Sequence, residues 1–251
     1  MTLLKSKKYK AIIFDIDGTL ILNDRHAMPS LKVISAIEKA SKLIHVGIAT
    51  GRPLFIALPV FNHLKFKGLA IVNGGSQIID ISSNKTLWEQ TINMQDLEEI
   101  IRIFKKMRIS FIVTDNDRDV KFFEEYKPKK PFQIWVHGTN NTDQIIDSIS
   151  HISTITGHKI LSWNKGETGL MITHAAATKQ HAIFEIAKLL EIDTHEIIGV
   201  GDGYNDFPLL MACGLKVAMG NAVPELKEIA DYIAPPVEKD GVADIIEKFV
   251  L

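Results

Sequence analysis

The chain has 251 residues, of which 46% are hydrophobic and 24% are charged, a balance that is ordinary for a globular protein. Its 29 basic and 30 acidic side chains leave a formal net charge of -1, so we expect neither a nucleic-acid partner nor an anionic membrane partner. The sequence contains no apolar run long enough to span a bilayer and no apolar leader at residues 1–8, which favours a cytoplasmic location. Its single cysteine, Cys213, excludes an internal disulfide bond and a zinc site made of cysteines.

A short apolar run at residues 10–14 predicts a buried strand, and two aspartates follow it directly. Asp15 and Asp17 stand where the strand should give way to a loop, and Gly18 and Thr19 continue that loop. Because α/β sheets place their ligands at the carboxyl ends of the strands, we expect the two acids at the mouth of a site. Two carboxylates this close repel each other, which indicates a bound cation or a shared proton. An ordinary Asp-Gly turn after a strand is the alternative interpretation.

The region that follows alternates strand and helix patterns, which predicts βαβ units and a parallel sheet. Apolar residues at helical spacing cover residues 31–44, and strand signals recur at 46–49 and 69–72. Residues 77–92 alternate more like two paired strands, with a hairpin turn predicted at 82–85.

The pattern changes near Asp96, where an amphipathic helix is predicted to begin. A second helix is predicted to be capped around Asn141. Strand-like runs accompany the two helices at residues 110–114, 131–137, 159–163 and 169–173. This order is similar to β-α-β-β-α-β and predicts a separate α+β module.

The βα pattern returns from about residue 178. A helix there leads to a strand that ends at Gly201 and Asp202, and further signals predict a helix at 206–212, a strand at 216–219, a helix at 225–230 and a strand at 232–234. We therefore expect a discontinuous main domain, residues 1–85 plus 176–251, interrupted by a second domain, residues 86–175.

Four segments in order along the chain resemble the four motifs of the haloacid dehalogenase superfamily of phosphohydrolases. They are Asp15-Ile16-Asp17-Gly18-Thr19-Leu20, Ala49-Thr50-Gly51-Arg52-Pro53, Lys179 near the start of a predicted helix, and Gly199-Val200-Gly201-Asp202-Gly203-Tyr204-Asn205-Asp206. The segments at 73–75 and 218–227 resemble the Cof-type branch, subclass IIB, of the same superfamily. The resemblance implies an α/β fold in which a Rossmann-like parallel-sheet core domain carries an inserted α+β cap domain of the C2B type.

The resemblance also implies a chemical role for each acid. Asp15 would be the nucleophile that takes the phosphoryl group as an aspartyl-phosphate, and Asp17 would be the general acid and base. Four acids converging on an anionic substrate would repel it without a divalent cation, and oxygen ligands favour Mg²⁺. By resemblance, Mg²⁺ is bound by the carboxylates of Asp15 and Asp202 and by the backbone carbonyl of Asp17, while Asp206 binds through water or orients the others.

Donors for the phosphoryl oxygens are implied in the same way. They are the Thr50 hydroxyl, the backbone of Gly51, the loop amides near Ile16 and Asp17, the Lys179 ammonium and the Asn205 side chain. Arg52 would bind substrate or be a solvated surface arginine. Gln180 stands where the family usually has glycine after the lysine, which bears on the local turn more than on the charge.

The sequence thus favours a Mg²⁺-dependent phosphatase of small phosphorylated metabolites, such as sugar phosphates, that acts as a monomer or weak homodimer. One alternative is a phosphotransferase similar to phosphomannomutase, and another is a non-catalytic binding protein on the same scaffold. The three tryptophans, Trp88, Trp135 and Trp163, could line a pocket in the second domain, but their wide spacing favours packing in the core or at the interface.

Overall fold

The computed structural model describes residues 8–121, 128–139, 141–164 and 166–251, and two β-sheets organise these residues. The strands in chain order are β1 (Ala11–Phe14), β2 (His45–Ala49), β3 (Leu69–Val72), β4 (Gln77–Asp80), β5 (Lys85–Glu89), β6 (Ile112–Asp115), β7 (Arg118–Lys121), β8 (Pro131–Val136), β9 (Ile155–Leu161), β10 (Thr168–His174), β11 (Ile197–Gly201), β12 (Leu215–Ala218) and β13 (Tyr232–Ile233). The α-helices are α1 (Leu31–Ala40), α2 (Leu54–Leu64), α3 (Met94–Met107), α4 (Thr142–Ile149), α5 (Lys179–Leu190), α6 (Phe207–Ala212), α7 (Pro224–Glu228) and α8 (Gly241–Phe249).

The main sheet has the strand order β13-β12-β11-β1-β2-β3-β4-β5. The strands from β13 to β3 are parallel, and β4 and β5 add an antiparallel hairpin at one edge. Strand β1 is buried along its whole length because helices cover both faces of the sheet. Its alternate side chains point into the two layers: Ile12 and Phe14 into one apolar cluster, Ala11 and Ile13 into the other.

The second sheet has the strand order β7-β6-β8-β10-β9, and each neighbouring pair is antiparallel. Helices α3 and α4 pack on one face of it and bury residues such as Phe104 and Ile145 against Ile134 and Leu170. This sheet therefore has its own apolar cluster. Its other face lies toward the carboxyl ends of the main-sheet strands, where β9 contacts residues 204–206.

The two connections between the sheets lie side by side. Gln90 N donates to Ser76 O at 2.9 Å where the chain leaves the main sheet. Where it returns, Thr178 lies so close to Gly75 that a Cβ on this glycine would be 2.3 Å from the Thr178 carbonyl carbon. Gly75 has a φ of +124°, a conformation that side-chain-bearing residues rarely adopt. Glycine at this position thus allows both connections to meet at one turn.

The helix and strand patterns differ from the observed elements in particular places. The sequence patterns did not predict β7, α2 or α8, and within the second module the order is α-β-β-β-α-β-β rather than β-α-β-β-α-β. The domain boundary expected at residue 86 falls inside β5, which pairs with β4 in the main sheet. Residues 1–7, for which we expect no apolar leader, lie outside the described residues. No helix within the described part of the chain is both long and apolar enough to cross a membrane.

Candidate active site

The predicted site residues meet at the carboxyl edge of the main sheet because their strands are neighbours. Strand β1 pairs with β2 on one side and with β11 on the other, with Phe14 level with Ile48 and Val200. The residues just beyond these three strands therefore come together, and they include Asp15 and Asp202.

A tight turn after β1 is built against Asp202. Gly18 has a φ of +77°, and a Cβ on it would be 2.0 Å from Asp202 Oδ2. The next residue, Thr19, donates from its hydroxyl to Asp202 Oδ1 at 2.9 Å. Asn221 donates to the Gly18 carbonyl at 2.8 Å and so ties this turn to the loop after β12. The glycine is thus required by conformation and by space, and the turn fixes the position of the Asp202 carboxylate.

Three carboxylates form a buried cluster in which the oxygens lie within 4.8 Å of one another. They belong to Asp15, Asp202 and Asp206, and each of these residues is at most 5% exposed. The turn at residues 204–206 brings Asp206 back toward the strand end, where its Oδ2 accepts from the backbone N–H groups of Asp202 and Gly203, each at 2.9 Å. Local backbone hydrogen bonds therefore orient this acid.

Lys179 places its ammonium group inside the cluster. It is the first residue of α5, its side chain is 1% exposed, and its Nζ donates to Asp15 Oδ1 at 2.7 Å and to Asp206 Oδ1 at 2.6 Å. Thr178 caps the helix by accepting from the His181 N–H, so the turn forms regularly with Gln180 at the second helical position. Gln180, at the position where the family usually has glycine, therefore does not prevent the Lys179 ammonium from contacting Asp15 and Asp206.

The buried charges of the cluster shift the pKa values of its members. Burial raises the pKa of Asp15 from its ordinary 3.8 to about 7, with Lys179 opposing the shift and the charges of Asp206 and Asp17 adding to it. Burial, together with the charges of Asp206 and Asp15, also raises the pKa of Asp202 well above its ordinary value. Burial alone would lower the pKa of Lys179, but the carboxylates of Asp15 and Asp206 hold it above its usual range.

One ammonium against three carboxylates leaves two negative charges in a site of oxygen ligands. A divalent cation fits this set, because hard cations such as Mg²⁺ and Ca²⁺ take carboxylate and carbonyl oxygens. The residues present therefore suit the metal that the sequence led us to expect.

Asp17 lies apart from that cluster and is bound by Arg52. The guanidinium Nε donates to Asp17 Oδ2 at 2.8 Å, and Nη2 donates to Oδ1. The Arg52 side chain is 3% exposed, so the alternative of a solvated surface arginine does not hold. A third donor comes from the second sheet, where Trp163 Nε1 lies 3.0 Å from Asp17 Oδ1.

The phosphate-binding candidates lie at different depths. Thr50 is fully buried and accepts from the Arg52 backbone N–H at 3.1 Å, which leaves its own O–H able to donate. A side chain at Gly51 would contact Trp135 and a methionine of β10 at about 3.4 Å and 3.5 Å, so this strand-end residue lies directly beneath the second sheet. Asn205 is half-buried and lines the cleft. Ile16 lies fully buried under the turn that its carbonyl helps to close.

A cleft between the two sheets opens onto these residues. From the main sheet it is lined by Asp15, Asp17, Asn23, Gly51, Arg52, Asp202, Gly203 and Asn205. From the second sheet it is lined by Trp135, His137, Ile160, Leu161, Ser162, Trp163 and Gly169. Lys179 and Asp206 stay beneath the floor of the cleft, where Lys179 donates hydrogen bonds to both Asp15 and Asp206.

Sequence reasoning gave less weight to the cleft position of two tryptophans and missed Gln133. Trp135 and Trp163 line the cleft between the sheets, whereas their wide spacing favours packing in the core or at the interface. Gln133 is fully buried and donates to the Gly51 carbonyl at 3.1 Å, so it joins β8 to the strand-end loop. A signal was present in β8, because Ile134 and Val136 face the apolar cluster of the second sheet. The alternate residues Gln133 and Trp135 must then face the other way, toward the cleft.

Comparisons with known proteins agree with this architecture. The family model described as haloacid dehalogenase-like hydrolase matches residues 12–122 and 114–246. The chain is 28% identical over 243 residues to a phosphoglycolate phosphatase of Methanopyrus kandleri, covering 95% of this chain and 96% of the relative. It is 25% identical over 268 residues to a 5-amino-6-(5-phospho-D-ribitylamino)uracil phosphatase of Bacillus subtilis, covering 96% of each chain. The solved structure of a sugar phosphatase of subclass IIB superposes with a TM-score of 0.80 at 23% identity, covering 96% of this chain and 98% of that one. The predicted fold class is confirmed.

Proposed function

This chain belongs to the haloacid dehalogenase-like hydrolase family, and from that premise we propose that it is a Mg²⁺-dependent phosphatase of small phosphorylated metabolites. It is a phosphoric monoester hydrolase that works through an aspartyl-phosphate on Asp15. The observation that carries the proposal is the buried cluster in which Lys179 bridges Asp15 and Asp206 beside Asp202, at the floor of a cleft. The names of the relatives support the reaction class, since the proteins compared above are phosphatases of small phosphorylated compounds.

Asp15 is the nucleophile of the proposed reaction. One of its carboxylate oxygens attacks phosphorus, the bond to the leaving-group oxygen breaks, and the phosphoryl group stays on Asp15 until water displaces it. Lys179 holds Oδ1 at 2.7 Å, which fixes the rotation of the carboxylate and adds positive charge where the phosphoryl oxygens arrive. A fixed nucleophile reacts faster because little orientational freedom is lost on the way to the transition state.

Asp17 is the acid and base. It gives a proton to the leaving-group oxygen in the first step and takes one from the attacking water in the second. The bidentate contact with Arg52 fixes its carboxylate plane, since a planar guanidinium holds a carboxylate in one orientation. Asp17 reaches the cleft, whereas Asp206 lies beneath its floor, which suits Asp17 better for contact with a leaving group.

The Mg²⁺ would be held by the carboxylates of Asp15 and Asp202 and the backbone carbonyl of Asp17, with Asp206 acting through water or by orienting its neighbours. When bound, the ion supplies two positive charges that offset the carboxylates and favour an anionic substrate. Thr50, Gly51, the loop amide of Ile16 and Asn205 supply hydrogen-bond donors for the phosphoryl oxygens. Arg52 contributes through Asp17.

The second sheet with α3 and α4 serves as the cap domain in this proposal. It corresponds to the division predicted at residues 86–175, with β5 kept in the main sheet, so the cap spans about residues 90–175. Its cleft-facing residues would contact the leaving group and so decide which phosphorylated metabolites are accepted. A monomeric or weakly dimeric state and a cytoplasmic location stay predictions from the sequence.

A screen of phosphorylated metabolites tests the proposal directly. The full chain is incubated with sugar phosphates, phosphoglycolate and other small monoesters, with Mg²⁺ or with EDTA, and inorganic phosphate is measured beside the dephosphorylated product. We expect equal amounts of the two with Mg²⁺ and none with EDTA. A phosphorylated isomer formed without inorganic phosphate would instead indicate a phosphotransferase. Undiminished phosphate release after complete chelation would contradict the metal requirement.

A further inference from the structure

Asp17 receives three hydrogen-bond donors, and two of them converge on the same oxygen. Arg52 Nε donates to Oδ2 at 2.8 Å, while Arg52 Nη2 and Trp163 Nε1 both donate to Oδ1, the indole at 3.0 Å. Each carboxylate oxygen offers two lone pairs. Both acceptor directions of Oδ1 are therefore in use, and Oδ2 keeps one of its two.

We propose that Trp163 is a positioning residue that restricts proton transfer by Asp17 to Oδ2. The proposal rests on the proposed function, in which Asp17 is the acid and base. With the indole N–H on Oδ1, a leaving-group oxygen or a water can approach only the free lone pair of Oδ2. Without the indole N–H, Oδ1 can also bind the leaving-group oxygen or the water. A fraction of bound substrates then contacts Asp17 in an arrangement that does not transfer the proton productively.

Several contacts hold the indole in this place. Trp163 lies between β9 and β10, and the neighbouring Ser162 accepts at its carbonyl from the Asn23 side chain at 2.9 Å. The guanidinium carbon of Arg52 lies 5.4 Å from the centre of the indole ring, and that of Arg25 lies 5.7 Å from it, distances typical of cation–π contacts. The ring is thus held by residues in loops that follow main-sheet strands, although Trp163 itself lies in a loop of the second sheet.

The contact joins the two sheets at the reacting group. Trp163 and Asp17 are 146 residues apart in the chain and meet only because the second sheet lies over the strand ends. The indole hydrogen bond would therefore be lost when the second sheet moves away. Asp17 would then be fully positioned only while the cleft is covered.

The chemistry makes a distinct prediction for substrates with different leaving groups. A sugar or alkyl alkoxide departs slowly unless it receives a proton, whereas an aryl oxide such as p-nitrophenolate departs without one. Loss of correct positioning at Asp17 should therefore slow phosphoryl transfer to Asp15 from sugar and alkyl phosphates and spare transfer from p-nitrophenyl phosphate. The later hydrolysis of the aspartyl-phosphate also uses Asp17, but it is the same step for both substrates. A residue that only fills space in the cleft would change both substrates alike.

The activity test uses Trp163→Phe, which keeps an aromatic ring and removes the N–H donor. We expect kcat/KM for the best sugar phosphate, which reports the steps up to departure of the leaving group, to fall by between about tenfold and a hundredfold, the range for losing a hydrogen bond to a charged group. The kcat/KM for p-nitrophenyl phosphate should change less than about threefold, since its leaving group needs no proton. Trp88→Phe makes the same chemical change in β5, where the indole packs against an apolar cluster of the main sheet and does not line the cleft, and should leave both substrates unaffected.

A second measurement does not depend on turnover. The chain has three tryptophans, so a ¹⁵N–¹H spectrum contains three indole N–H signals, and Trp163→Phe identifies one of them. Asp17→Asn, which removes the charge on the acceptor, should move the Trp163 signal and leave the Trp88 signal in place. An unmoved Trp163 signal would overturn the proposal, and so would an equal loss of kcat/KM for both substrates in an active Trp163→Phe enzyme. If the wild-type protein released phosphate from no substrate, the proposed function would fail first and this proposal with it.

Discussion

The carboxyl edge of the main sheet and the facing surface of the second sheet line the same cleft with different chemistry. The main sheet contributes charges that are almost completely buried, with Asp15, Asp202 and Lys179 each at most 5% exposed. The second sheet contributes chiefly aromatic and apolar side chains, among them Trp135 and Trp163, which are half-buried. In the proposed function, the first surface would bind and cleave a phosphate ester, and the second would distinguish what is attached to it.

The two surfaces also differ in how they are held. The charged residues follow directly from parallel strands whose register is fixed by continuous hydrogen bonds. The second sheet meets them through a smaller set of side-chain contacts, such as Gln133 to the Gly51 carbonyl at 3.1 Å and Ser76 to the Phe132 carbonyl at 2.9 Å. We therefore expect substitutions at the first surface to alter catalysis and metal binding, and substitutions at the second to alter selectivity.

The largest effect is expected for Asp15→Asn, which removes the nucleophile from the charged surface and leaves the second sheet intact. Phosphate release should fall by at least about a thousandfold, because no other group in the cluster is placed to form the covalent intermediate. Steady-state kinetics with p-nitrophenyl phosphate and a sugar phosphate measure the loss. Asp143→Asn makes the same change at an exposed position of α4 and should retain activity. Retention of more than about a tenth of the wild-type rate by Asp15→Asn would refute this role.

Lys179→Met should give the next largest effect and should act on stability as well as on catalysis. It leaves Asp15 and Asp206 buried without the ammonium that contacts both, and removing one partner of a buried ion pair costs about 3–5 kcal/mol of unfolding free energy. Urea unfolding in EDTA and in Mg²⁺ measures the change, and Mg²⁺ should recover part of it.

The matched control for this variant lies on the same helix. Lys188 pairs with Glu185 at 2.7 Å, but its side chain is 71% exposed, so Lys188→Met should change stability little. If the two lysine variants unfolded at the same urea concentration, the buried ammonium would not be stabilising the carboxylates.

The carboxylates of the charged surface could be predicted from the sequence because Asp15 and Asp202 each directly follow a strand, whereas Lys179, at the start of α5, is identified through its resemblance to the third motif. Asp15 follows a run of apolar residues, Asp202 follows another, and neighbouring parallel strands bring their ends together. The second surface could not be predicted in this way. The contact of Trp163 with Asp17 depends on how one sheet lies over the other, and no local pattern records that arrangement.

Two smaller differences between the sequence-based expectations and the structure, at β7 and at Arg52, also have physical reasons. Strand β7 is mostly exposed, and only Val120 of its residues is buried, so it gives no alternating apolar signal. Arg52 is buried because Asp17 neutralises its charge, and an arginine beside a turn gives no sign in sequence of whether such a partner lies above it. For Arg52 the missing information is a tertiary contact, and for β7 it is a backbone pairing with β6 that leaves most of its side chains exposed.

Trp135→Leu should separate the two surfaces by changing selectivity without changing metal affinity. Replacing the indole that lies over Gly51 should alter the ratio of kcat/KM values between two sugar phosphates by about tenfold, typical of a change in an apolar pocket contact. The Mg²⁺ concentration that gives half the maximal rise in Tm should stay within about twofold of the wild-type value, since the metal ligands are untouched. Trp88→Leu is the control with an indole outside the cleft. A shifted metal affinity with an unchanged substrate ranking would show that the two surfaces are not separable.

The smallest expected effect is a dependence of stability on pH that arises from the charged surface alone. In the folded protein the pKa of Asp15 is raised to about 7 and that of Asp202 is raised as well, above the value of about 3.9 for aspartate in an unfolded chain. Between those pKa values the folded state binds more protons than the unfolded state, so the free energy of unfolding falls as the pH rises. Burial lowers the pKa values of His45 and His158, so these histidines make the free energy of unfolding rise with pH. That rise declines above about 6.5, the pKa of histidine in an unfolded chain.

A scan from about pH 7 to about pH 8 therefore reports chiefly the carboxylates, and the histidine contribution that remains is shared by the wild type and the Asp15→Asn variant. In EDTA we expect the Tm to fall by about 2 °C over this range, since about 1 kcal/mol shifts the Tm of a chain this long by roughly that amount. Mg²⁺ should raise the Tm more at the upper end, because it binds the ionised carboxylates and offsets their repulsion. Asp15→Asn removes one of the titrating groups and should flatten the slope in EDTA, whereas Asp143→Asn should not. A Tm in EDTA that rises through this range, with the same increment from Mg²⁺ at both ends, would mean that the cluster does not hold these protons in the folded protein.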